Sequence, residues 1–111
     1  MLGRMSVIIA NFGSDVLTLT FEKERKSVSV AYRDHPEVFG HPRFLMADFD
    51  KSVALVRDAL RELVHGWRLL PPKISVTINR KMEGGITTND RKLLAEIFLH
   101  GGARAVIIQG T

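Results

Sequence analysis

Apolar residues in the first third of the chain recur at every second position or run together; later they alternate between intervals of three to four and short apolar runs. Ser6 to Asn11 is almost wholly apolar, the pattern of a central strand buried on both faces. Val16 to Phe21 alternates, and after a polar turn from Glu22 to Lys26 so does Ser27 to Tyr32. Gly13-Ser14-Asp15 supplies the tight bend between the first two segments. Together the three predict an antiparallel meander.

Residues 33 to 48 hold Pro36, Gly40 and Pro42 without a clean period and predict an irregular connection. A helix follows, because Phe49, Val53, Val56, Leu60, Leu63, Val64 and Trp67 recur at intervals of three and four and form one apolar face. Asp48 or Asp50 caps its start, and Gly66 with Pro71-Pro72 ends it. Trp67 reads as a core plug or a cover for a sheet edge. Ile74 to Ile78 predicts a strand. After Glu83-Gly84-Gly85, Thr87 stands three residues before Asp90, an approximate capping box with Asp in place of Glu or Gln. The helix it opens carries Leu93, Leu94, Ile97 and Phe98 on one side and stops at Gly101-Gly102. Ala105 to Ile108 is the last strand. Helices alternating with strands require parallel crossovers. The expectation is one α/β domain over residues 1–111, with a mixed five-stranded sheet, two main helices and the first strand near its centre.

Composition narrows the classes. At 111 residues the chain holds one domain, and 45% hydrophobic content is enough for a core. The absence of cysteine removes disulfides and thiolate chemistry and fits a reducing compartment. No apolar run approaches the roughly 18 residues of a membrane span, and no signal peptide is legible. The net charge of +4 is compatible with an ordinary solvated surface, and no polybasic block or basic stripe with exposed aromatics points to nucleic acid.

Two loops are candidate sites. Asn11-Phe12-Gly13-Ser14-Asp15 presents backbone N–H groups beside a hydroxyl, which suits a phosphate cradle and a plain hairpin alike. Gly85 to Thr88 lies between a strand end and a helix start, where an anion can sit; a loop with an N-cap has the same sequence. Asp90 can position a water, and the helix dipole favours an acid there in any case. Walker A and Rossmann glycine patterns are absent. His35, His41, His65 and His100 show no metal-ligand spacing, and no carboxylate pair is spaced for acid–base work. This incomplete inventory argues against an enzyme.

In their order these elements resemble the first subdomain of the bacterial actin-like proteins, above all the MreB type that organises rod shape. The likeness covers most of the chain. Asn11-Phe12-Gly13-Ser14 stands where the family has its first phosphate loop, and Ala47-Asp48-Phe49-Asp50 resembles the family's Ile-Ala-Asp-Phe segment. Ser75 to Ile78 corresponds to the strand before the hydrolysis loop, and Gly85 to Lys92 to that loop and helix start. Gly101-Gly102-Ala103-Arg104 with Val106-Ile107-Ile108 is similar to the family's Ala-Gly-Ala-Arg-Glu-Val run. The resemblance implies a ribonuclease H-like fold, an actin-like ATPase subdomain, with Asn11, Gly13, Ser14, Gly85 and Thr87 around a nucleotide and Asp90 at the catalytic glutamate's position.

Departures from the family shape the functional expectation. Asn11 lacks the charge of the aspartate that helps hold Mg²⁺ through water, and Asp90 is one methylene short. The second phosphate loop and the adenine pocket are not in the sequence, so the chain is expected to be a fragment or a reduced relative. The leading expectation is a cell-shape or cytoskeletal domain without a resident cofactor, cytoplasmic or peripheral at the inner membrane, acting through protein partners or self-association. Met1, Leu2 and Met5 allow at most a weak membrane contact. The alternative is a module with residual Mg-ATP binding or slow hydrolysis, completed by oligomerisation or by a missing second half.

Overall fold

In the computed structural model, which describes residues 7–64 and 71–109, five strands form one sheet in the order β3-β2-β1-β4-β5. They are β1 (Val7–Phe12), β2 (Val16–Phe21), β3 (Lys26–Ala31), β4 (Lys73–Ile78) and β5 (Ala105–Gln109). The first three are antiparallel neighbours; β4 runs parallel to β1, and β5 parallel to β4. The mixed sheet with β1 at its centre is as expected. Between the strands lie a single helical turn, α1 (Pro36–Phe39), and two main helices, α2 (Phe49–Leu63) and α3 (Thr88–His100).

Strand alternation sorts the side chains. Ile8, Ala10 and Phe12 of β1, Leu17, Leu19 and Phe21 of β2, and Ile74 and Val76 of β4 are buried on one face. Val53, Val56, Leu60 and Leu63 of α2 and Leu94, Ile97 and Phe98 of α3 pack against them, with Phe98 edge-on to Phe12 at 6.4 Å between ring centroids. At about 25 cal/mol per Å² of apolar surface, this single layer of contacts is the main force holding the sheet flat against its helices.

The other face differs from the expectation of a first strand buried on both sides. Val7 is 48% exposed and Ile9 only partly covered, because both main helices pack on the same side. An apolar run of this length does not distinguish a strand covered twice from one covered once.

Several boundaries also move. Residues 33 to 48 are not merely irregular: Tyr32–Asp34 makes a 3₁₀ turn, and Pro36 opens α1, where its missing N–H costs nothing. Val38, Phe39, Leu45 and Met46 from this stretch are core residues. Asp48 is the cap of α2, its carboxylate accepting from Lys51 N–H at 3.0 Å. Phe49, placed on the buried face by its spacing, is 37% exposed and lies edge-on to His100 at 5.5 Å. Leu93 is likewise at the margin, since the buried stripe of α3 centres on Leu94, Ile97 and Phe98. The readings of His65, Gly66 and Trp67, and of Met1, Leu2 and Met5, fall outside the described residues.

Candidate functional site at the strand ends

Because β1 and β4 are parallel, their C-terminal ends open on the same edge, with Asn11 level with Thr77 and Phe12 with Ile78. The two strand ends are tied together: Asn79 N–H donates to the Phe12 carbonyl at 2.8 Å, and the Asn79 side-chain amide donates to Asn11 Oδ1. The β1–β2 turn closes through Gly13 N–H donating to the Val16 carbonyl at 2.9 Å. Tyr32 then clamps that turn from the side. Its hydroxyl donates to the Gly13 carbonyl at 2.7 Å, and its N–H to the Asp15 carbonyl at 3.0 Å.

Arg80 completes this cluster. Its guanidinium lies 4.4 Å from the Tyr32 ring centroid, and Nη2 donates to the Phe39 carbonyl at 2.9 Å. Nη1 is buried without a hydrogen-bond partner. Tyr32 and Phe39 pack ring to ring at 4.5 Å. Burial pushes the Tyr32 hydroxyl up to about 12; Arg80 opposes that shift, and Asp15 adds to it.

The expected site residues do not converge on one cavity. Ser14 lines an open hollow of about 490 Å³ with Asp15, Tyr32, Arg33 and Arg80. Gly85 lines another, of about 390 Å³, with Asn79, Arg80, Lys81 and Met82. Arg80 stands between the two. Asp90 lines a third, with Phe44, Leu45 and Met46. Its carboxylate accepts from Thr87 N–H at 2.8 Å, while its own N–H donates to the Thr87 hydroxyl at 3.1 Å. Both halves of the capping box are therefore formed, and the acid and hydroxyl at the helix start serve each other. Gly84 and Gly85, at φ of 79° and 75°, supply the left-handed backbone that brings the chain to Thr87.

Arginine and lysine dominate the charge at this edge, so the chemistry it offers is attraction for an anion. It does not suit a divalent cation. Asn11 is neutral, with its carbonyl oxygen already accepting from Asn79, and no group of three His, Cys, Asp or Glu that could hold a metal occurs among the described residues. Of the described histidines, His41 Nδ1 accepts from Arg43 N–H at 3.1 Å, and His100 Nδ1 contacts the Glu96 carbonyl at 2.8 Å. Tyr32, Asn79 and Arg80 were not among the expected site residues. Asn79 and Arg80 directly follow the strand expected over Ile74 to Ile78, but its pairing with β1 comes from the structure.

The chain matches no family model and no curated protein. Among the described residues, no helix is long and apolar enough to cross a membrane.

Proposed function

We propose that the chain is a reduced domain of the MreB type, a cytoplasmic cytoskeletal or cell-shape module that works by protein–protein contact and not by ATP turnover. The observation that carries this reading is the bare face of the sheet. Its strand positions are Val7, Ile9 and Asn11; Val16, Thr18 and Thr20; Ser27, Ser29 and Ala31; Lys73, Ser75 and Thr77; and Ala105, Ile107 and Gln109. In a chain with 25% charged residues, Lys73 is the one charge among those positions. Depletion of charge around an apolar centre is the compositional mark of an interface core. The resemblance to actin-like proteins, whose subdomains meet partners through their surfaces, points the same way.

A photo-crosslinking amino acid placed at Thr18, central on this face, tests the reading in cells. A discrete protein adduct from Thr18, absent when the same probe replaces the exposed Arg57 of α2, is the expected result. No adduct, or equal adducts from both positions, overturns it.

A second reading, binding of a nucleotide or another phosphate compound at the strand ends, is favoured by Arg80, whose Nη1 has no hydrogen-bond partner and whose side chain lines the same hollow as Ser14. Calorimetric titration with Mg-ATP distinguishes it. Saturable heat that is lost in Arg80→Ala supports this reading, and the absence of heat removes it.

A further inference from the structure

The two edges of the sheet are built differently. β3 begins at Lys26, which pairs with Glu24 at 3.6 Å and directly follows Arg25, so charge guards that edge. β5 runs Ala-Val-Ile-Ile-Gln, with no charge and no proline, and has no strand on its outer side among the described residues. Ile107 at its middle is 43% exposed. Just before the strand, Arg104 N–H donates to the Pro72 carbonyl on the β4 side at 2.8 Å. Strand alternation from that point turns the N–H and C=O groups of Ala105, Ile107 and Gln109 outward. An unguarded row of backbone donors and acceptors is a template for another strand.

We propose that this edge pairs antiparallel with the β5 edge of a second copy of the chain, about a two-fold axis at Ile107. This rests on the reading of the chain as an interaction domain and names its partner and contact. The register carries the argument. With the axis at Ile107, that residue opposes its own counterpart, Ala105 opposes Gln109, and Val106 opposes Ile108. Residues opposed across an antiparallel pair share a face. Ile107 thus meets Ile107 on the bare face, while Val106 and Ile108, both packed against the core, extend one apolar layer into the next copy.

Charge selects the direction. Each copy carries a net +4, so two copies repel unless they approach through neutral surface. Antiparallel pairing places the two Arg104 side chains at opposite ends of the ladder, about 20 Å apart for six residues of strand. That separation exceeds the screening length of about 8 Å at physiological salt. Parallel pairing would set Arg104 beside Arg104. The two-fold arrangement is closed, so it ends at a dimer.

Sedimentation equilibrium and disulfide trapping test this together. Ile107→Pro removes an outward N–H that the sheet itself does not use, and Ile107→Lys sets two like charges face to face while keeping the backbone bonds. The wild-type chain is expected to dimerise, with both variants at least about tenfold weaker and folded by circular dichroism. The chain has no cysteine, so Ile107→Cys is a clean probe. Opposed residues in such a ladder stand about 5.5 Å apart, within disulfide reach. Ile107→Cys is expected to oxidise to a covalent dimer, and Ser27→Cys on the β3 edge is not.

A wild-type monomer at every concentration, a dimer that survives in Ile107→Lys, or equal trapping at both cysteines overturns the inference. Ile9→Lys, central on the bare face, separates it from the broader reading. If that variant alone loses the dimer, the copies meet face to face: the edge contact fails and the interaction face stands.

Discussion

The Arg80 guanidinium lies 4.4 Å from the centroid of the Tyr32 ring, and each of these side chains holds a piece of backbone distant in sequence. Tyr32 holds the β1–β2 turn through the Gly13 carbonyl, and Arg80 holds the end of α1 through the Phe39 carbonyl. Stacked together, they lock turn, helix and β4 end into one unit. Arg80→Ala removes a charged hydrogen bond and a cation–π contact and is expected to cost about 2 kcal/mol. Urea unfolding measures it. Arg80→Lys restores the charge but not the planar fork, so it is expected to recover only part of the loss.

Burial of the Tyr32 hydroxyl makes stability depend on pH at the alkaline end, and the neighbouring Arg80 works against that dependence. Tyr32 is the one tyrosine in the chain, so phenolate absorbance reports it alone. Its folded value is pushed up from 10 to about 12, chiefly by burial. Below pH 10 both folded and unfolded states hold the proton, and the full stability is present. As pH rises from 10 through 12 the unfolded chain ionises first, and stability falls by an amount on the order of 2 kcal/mol. Denaturation of the wild type against Tyr32→Phe across that window is expected to show the loss in the wild type alone. A Tyr32 titration midpoint near 10 in the folded protein would remove the effect.

Much of this architecture was legible because the apolar spacing of the strands and helices is strict. Val16 to Phe21 alternates without a fault, and Leu94, Ile97 and Phe98 fall on one helical stripe. What escaped lies where short-range pattern carries no information. Val38, Phe39, Leu45 and Met46 enter the core from a stretch broken by Pro36, Gly40 and Pro42, where burial follows from tertiary docking. The strand-end cluster was half visible. Gly13 and Ser14 stood out by residue type, but Tyr32 and Arg80 are far apart in sequence and meet only once the chain is folded.

Asp90 offers a direct contrast between a structural and a chemical role. Its carboxylate and the Thr87 hydroxyl satisfy each other's backbone N–H groups at the start of α3. Removing either half leaves an open helix end. Asp90→Ala and Thr87→Ala are each expected to cost about 1 kcal/mol, and the double variant less than their sum because the two bonds form as a pair. A double-mutant cycle by chemical denaturation reads this directly. Strict additivity would show that the box does not form cooperatively.

Gly101 ends α3 at a point where the two main helices nearly touch. A Cβ added there would stand 2.6 Å from Val56 Cγ1 and 3.0 Å from its Cβ, on a residue that is itself fully buried in α2. The backbone is ordinary at φ −76°, so the constraint is space alone. Gly101→Ala is expected to destabilise by about 1–3 kcal/mol through overpacking. The companion change Val56→Ala, costly by itself, is expected to relieve part of that when combined with it. Thermal melts of the two single variants and the pair test the steric account, and full additivity would refute it.

Among the described residues, Ser52 is the one polar residue with a buried side chain, at 0% exposure in the first turns of α2, and its hydroxyl has no hydrogen-bond partner. Its backbone N–H donates to the Asp48 carbonyl at 2.8 Å, so the helix is satisfied without the side chain. A hydroxyl taken out of water and left unbonded opposes folding by about 1–3 kcal/mol. Serine also forms helix less readily than alanine. Ser52→Ala removes both penalties and leaves only the small space the oxygen filled. The variant is expected to be more stable than the wild type by about 1 kcal/mol, seen as a higher urea midpoint with an unchanged slope. A loss of stability instead would mean that the hydroxyl bonds to a buried water or a shifted carbonyl, and that this corner of the core is polar by design.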